Sequence, residues 1–108
     1  IFPIMHTLVM REELHEENPW IAASLYAACD GAKGWAAERL SYSGAMMVMT
    51  PWLFDDLEEM DDVFGGDAWP YGLTANRPLL ETFLSYLTED GFIENSPPLD
   101  DLFLPVEG

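Results

Sequence analysis

The sequence predicts a mainly α-helical chain with one N-terminal β-strand. Three observations carry this expectation. Residues Ile4 to Met10 form a short apolar segment, β-branched at Ile4, Thr7 and Val9, which is strand composition. After Asn18, apolar residues recur at spacings of three and four in long stretches divided by Gly and Pro, as in amphipathic helices. Only one strand candidate stands beside these helices, and a lone strand leaves its backbone donors and acceptors unpaired. Its partners are therefore expected outside these 108 residues or on another copy of the chain. On this reading the chain is one segment of a larger domain, able to form a homo-oligomer through the exposed N-terminal strand.

Each element has its own local reasons. Ile1-Phe2-Pro3-Ile4 opens on an apolar run with no initiator methionine or targeting pattern, which is read as a boundary within a longer chain. The strand covers 4–10. Residues 11–17 are polar and helix-favouring, and predict a short helix. Asn18 as N-cap and Pro19 at the first helical position open a helix over 19–40. Its apolar face is Ile21, Leu25, Ala28, Cys29, Ala32, Trp35, Ala36 and Leu40. Gly31 and Gly34 each cost that helix about 1 kcal/mol relative to alanine, which marks a bend or a close contact. Residues 41–44 read as a break, and the methionine-rich Ala45 to Met49 as a short turn or helix ended by Pro51.

A helix over 52–64 points Leu53, Phe54, Leu57, Met60, Val63 and Phe64 inward, and Gly65-Gly66 stops it. Residues 67–73 form an aromatic loop. The next helix, 77–90, is given Asn76 as its cap, with Pro78 in its first turn. Leu79, Leu80, Phe83, Leu84 and Leu87 make its core stripe. The tail, 92–108, is expected to make one helical turn within Pro97 to Phe103 before an extended end.

Charge excludes whole classes of function. Four basic residues against twenty acidic ones give a net charge of −16. Nucleic acid needs a basic footprint, so it is not an expected partner. An anionic membrane surface is disfavoured for the same reason, and no apolar run approaches the roughly 20 residues of a membrane helix. Near-absence of lysine suits a salt-rich habitat in which counterions screen the excess charge. The single cysteine, Cys29, permits no intrachain disulfide and reads as a small buried apolar residue.

Candidate chemistry is sparse. His6, inside the strand, reads either as a half-buried, hydrogen-bonded histidine or as a proton donor or ligand-binding group at a strand end. His15 lies on a charged helix and reads as solvated. The carboxylates from Asp55 to Asp62 alternate with apolar residues at helical spacing and lack the central glycine of a calcium loop, so they read as a solvated face. Zinc spacing is absent as well. Trp69 and Tyr71 bring large aromatics into a loop ahead of a helix. Arg77, an isolated cation in an acidic chain, opposes the helix dipole in a first turn. Such an arginine calls for a carboxylate, either internal (Asp67 or Glu81) or on a ligand.

Several motifs, taken in order, resemble a known family. Phe2-Pro3-Ile4-Met5-His6-Thr7, Asn18-Pro19-Trp20, Pro51-Trp52-Leu53, Trp69-Pro70-Tyr71-Gly72-Leu73, Asn76-Arg77 and Leu80-Glu81-Thr82-Phe83 resemble the C-terminal third of 4,5-dihydroxyphthalate decarboxylase-like proteins. The resemblance implies the C-terminal segment of a two-lobed α/β fold like that of type 2 periplasmic binding proteins, in a cytoplasmic protein. It also implies removal of one carboxylate from 4,5-dihydroxyphthalate to give protocatechuate and carbon dioxide, without an obvious organic cofactor; the residue spacing itself gives no metal site. The alternative within the same resemblance is a non-catalytic module that binds a small carboxylate. His6 is the candidate catalytic acid. Arg77, Tyr71, Trp69 and Asn76 are the candidate residues for binding a small aromatic carboxylate. The chain departs from the family in its acidity, its near-lack of lysine and Pro78. As a segment it is expected to be inactive alone.

Overall fold

A computed structural model gives the fold, and the description covers residues 4–106. The opening Ile1-Phe2-Pro3, read above as a boundary, lies outside the described residues, as do the last two residues of the tail. Among the described residues five helices follow one another: α1 (Glu12–Glu17), α2 (Trp20–Leu40), α3 (Leu53–Phe64), α4 (Leu73–Glu89) and α5 (Leu99–Leu102). The chain divides into two compact units, Ala27–Pro70 and the remainder, Ile1–Tyr26 with Tyr71–Gly108.

The mainly helical class holds, but the N-terminal strand does not. Residues 4–10 carry no regular structure, and no β-strand occurs among the described residues. A strand exists only through its ladder, and here no extended neighbour supplies one. Met5, Leu8 and Val9 are 76%, 78% and 87% exposed, so neither face of the segment is covered. Association of copies through an exposed strand loses its basis with the strand itself.

In the Ala27–Pro70 unit, only part of the expected inner face of α3 is covered. Leu53 is buried and Leu57 and Met60 are half-buried, but Phe54, Val63 and Phe64, expected inward, are exposed, as are the six carboxylates. Asp55 and Asp56 stand in the first turn, where negative charge suits the helix dipole. Gly65 ends the helix in the left-handed region at φ 70°, and its N–H donates to the Asp61 carbonyl at 2.8 Å. An L side chain is strained there, so Gly65→Ala is expected to cost about 1 kcal/mol. A urea midpoint equal to that of the parent chain would contradict this.

No side chain of the long helix α2 is fully buried, and only Ile21, Ala22, Tyr26, Lys33 and Leu40 are half-buried. Trp20 and Trp35 are 65% and 60% exposed, and a Cβ added at Gly31 or Gly34 would meet nothing within 4 Å. Cys29, expected inside, is exposed. Near the end of α2, the Arg39 guanidinium lies 4.8 Å from the Trp35 ring centre, a cation–π contact.

In the other unit, α4 starts earlier than its cap signal implies. Gly72, at φ 94°, occupies the N-cap position, and Asn76 lies inside the helix. The Asn76 Nδ2 donates back to the Gly72 carbonyl at 2.8 Å instead of capping. Pro78 falls just beyond the first turn, where it removes one ladder donor. The helix tolerates this because its apolar stripe has packing to offset the loss. Leu84 is buried on α4, Leu99 is buried on α5 at 5% exposure, and the two helices pack together. His15 on α1 is half-buried rather than solvated, and its Nδ1 has no partner among the described residues.

Candidate functional site

The five candidate residues do not fall in one unit. Trp69 belongs to Ala27–Pro70, whereas His6, Tyr71, Asn76 and Arg77 belong to the other unit.

Arg77 is the centre of the second group. It sits on α4 one step beyond the first turn, with its side chain 38% exposed. Its Nη2 donates to Asp100 Oδ1 at 2.5 Å, and Nη1 lies 4.0 Å from Glu81 Oε1. Glu81 was one of the two internal partners expected from sequence. Asp67, the other, instead binds Lys33. Arg77, Glu81, Ser96, Pro97 and Asp100 line a concavity of about 300 Å³, with the buried Leu84 and Leu99 also in its wall. A guanidinium offers a planar fork of donors matched to a carboxylate. Here Asp100 already takes part of that fork. Asn76 precedes Arg77 with its amide engaged at Gly72, and Tyr71 is 44% exposed just before the helix. His6 is exposed within the irregular segment 4–10. A proton donor needs a fixed position relative to the reacting carbon, and that segment supplies no secondary structure to fix one.

Trp69 is positioned by a clasp that sequence reading missed. Lys33, the only lysine of the chain, donates from Nζ to Asp67 Oδ2 at 2.6 Å and to the Trp69 carbonyl at 3.2 Å. Asp30, one turn earlier on α2, lies 3.5 Å from the same ammonium. Asp67 Oδ1 accepts the Trp69 N–H at 2.9 Å. The loop after α3 is thereby tied to α2 within one unit, while the Trp69 side chain stays exposed. The available signal was the solitary lysine, because a lone cation in an acidic chain finds a carboxylate. Its partner, 34 residues away, could not be chosen from spacing.

Both groups of the clasp respond electrostatically. The hydrogen bond from Lys33, helped by the Trp69 amide, holds the Asp67 carboxyl below its ordinary 3.8 in spite of some desolvation. Partial burial disfavours the Lys33 ammonium, but the hydrogen bonds and charges of Asp67 and Asp30 outweigh it and raise its pKa above 10.5. The signs follow from linkage. Asp67 contributes stability above its ordinary value, lost as pH falls through the depressed one. Lys33 contributes stability below its ordinary value, lost as pH rises through the elevated one. The clasp is thus complete between about pH 4 and pH 10, windows set by those two ordinary values. Half-exposed carboxylates limit its worth to about 1 kcal/mol or less. Asp67→Ala is expected to accelerate hydrogen exchange of the Trp69 amide several-fold at neutral pH. Unchanged exchange would show that Asp67 does not hold the loop.

Among the described residues no group of three or more His, Cys, Asp or Glu is placed to hold a metal ion. Among the same residues no helix is long and apolar enough to cross a membrane.

Comparison with known proteins gives one informative match. No family model matches the chain, and no solved structure matches it. The sequence is 34% identical over 106 residues to 4,5-dihydroxyphthalate decarboxylase of Comamonas testosteroni. The match covers 98% of this chain and 32% of that protein. The chain is therefore similar to 4,5-dihydroxyphthalate decarboxylase along nearly its whole length, and spans about a third of that relative.

Proposed function

We propose that these 108 residues are part of an aromatic carboxylic acid decarboxylase that converts 4,5-dihydroxyphthalate to protocatechuate and carbon dioxide. The observation that carries this reading is the 34% identity running through 98% of the chain. A second observation supports the idea that more polypeptide completes the protein. A helix as apolar as α2 normally lies in an interior, yet none of its side chains is fully buried.

The reaction needs two things from the protein. One ring–carboxylate bond breaks, its electron pair passes to the ring carbon, and a proton takes the vacated place. Cationic or hydrogen-bonding groups must therefore hold the anionic substrate, and an acid must deliver the proton. The general field of a chain at −16 repels a dianion, so positive charge has to be local. Arg77 is assigned the carboxylate, with Asn76 and Tyr71 as neighbouring hydrogen-bonding groups. Trp69, in the other unit, is assigned only an exposed aromatic face. His6 is assigned the proton on condition that polypeptide beyond these residues fixes it, because segment 4–10 has no regular structure of its own. Further cations come from polypeptide beyond these residues, and the 108-residue chain is inactive alone.

The assignment of His6 has its own test in the full-length protein. His6→Asn is expected to lower kcat at least ten-fold with KM changed less than two-fold, on the order of a lost general acid. Parallel changes in kcat and KM would remove His6 from the proton transfer. Binding without turnover by the parent protein would instead favour a carboxylate-binding module.

A further inference from the structure

We propose that Asp100 is an internal competitor for the Arg77 guanidinium, setting the affinity threshold that any ligand carboxylate must pass. This inference rests on the reading above, in which Arg77 receives a ligand carboxylate.

The geometry has three parts. First, Asp100 Oδ1 meets Arg77 Nη2 at 2.5 Å, in the place where a ligand oxygen would bind. Second, Asp100 is held there by its neighbours rather than by the ion pair alone. Leu99, beside it, is 5% exposed and docks α5 on α4. Pro97-Pro98 leads into the turn, and the Asp101 and Phe103 amides close it on the carbonyls of Pro98 and Leu99 at 3.1 Å each. Third, the Asp100 side chain is 72% exposed, so a displaced Asp100 carboxylate returns to water with little cost. Glu81 adds a second negative charge within 4.0 Å of the same guanidinium. One cation and two carboxylates leave the ligand-free concavity negative.

A tethered carboxylate competes at an effective concentration of roughly millimolar or above. It lowers the affinity of every incoming anion by the same factor, because the apparent dissociation constant scales inversely with the fraction of Arg77 left open. Simple monocarboxylates such as benzoate, which offer one contact, bind weakly against this competition. An aromatic dicarboxylate, with a ring face and a second carboxylate, can still overcome it.

The test is a calorimetric titration of the full-length protein with phthalate and with benzoate. Asp100→Asn, close to the parent in size and neutral, is expected to tighten both ligands by a common factor of about two to five, the range of an exposed ion pair. Asp101→Asn removes the same net charge from the same turn and is expected to leave both affinities unchanged. In the Arg77→Ala background the gain from Asp100→Asn should vanish. Asp100→Ser, which also removes the charge, should reproduce the gain and guards against a folding defect specific to the amide. If the parent protein binds phthalate and both Asp100 variants bind it no better, the competitor role is overturned while the proposed function stands. If Asp101→Asn gives the same gain, the effect belongs to the general field and the inference is likewise overturned. If neither parent nor variants bind any aromatic carboxylate, both readings fail together.

Discussion

Leu99→Ala is expected to destabilise the unit containing α4 and α5 by about 3 kcal/mol, near the low end of leucine truncations in tight cores. The reason is how little core there is. Among the described residues the buried hydrophobics are Leu53, Leu84 and Leu99, and Leu99 is the deepest at 5% exposure. Helix α5 has four residues, far too few to be stable without tertiary packing. Its docking therefore depends on this side chain, and so does the placement of Asp100 at Arg77. Leu102, in the same turn but 54% exposed, is the internal control. Its truncation should change stability by no more than about 0.5 kcal/mol. Urea unfolding of the two variants checks this, and similar losses for both would show that α5 is not anchored as described.

Arg77→Ala should have the largest effect on ligand binding, weakening an aromatic dicarboxylate more than about ten-fold in the full-length protein. Hydrogen bonds to charged groups contribute about 1.5 to 3 kcal/mol, and a guanidinium supplies them in a planar fork that lysine cannot copy. Arg77→Lys should accordingly recover only part of the affinity. Stability should fall much less, because the Asp100 and Glu81 partners are exposed and such pairs contribute about 1 kcal/mol or less. The informative result is the ratio of the two effects. A large loss of stability with unchanged affinity would make Arg77 a structural pin between α4 and α5.

Helix-rich character was legible because it is a local property. The spacing of Leu53, Leu57, Met60 and Phe64 and the glycine pair after them carry it without any tertiary information. What misled was the same kind of local signal where tertiary context decides. Ile4 to Met10 has strand composition, but composition cannot supply a neighbouring strand. Asn76 with Pro78 looked like a helix start, yet Gly72 at φ 94° lets the chain enter α4 four residues earlier. The cost of a proline beyond the first turn is then absorbed by packing around Leu84.

The candidate site divides in the same way. That Arg77 would find a carboxylate could be read from its isolation among acids, but Asp100 could not be named, because it lies 23 residues away in a tail with no strong signal. Cys29 and His15 exchanged their expected environments, Cys29 exposed and His15 half-buried. Periodicity assigns a helix face, but only the neighbours actually present decide whether that face is covered.

The most direct test is release of labelled carbon dioxide from carboxyl-labelled 4,5-dihydroxyphthalate, assayed with the full-length protein and with the 108-residue chain. Carbon dioxide and protocatechuate should appear in equal amounts with the full-length protein, and neither with the chain alone. Absence of both products from the full-length protein, under conditions in which it is folded, would contradict the proposed decarboxylase function.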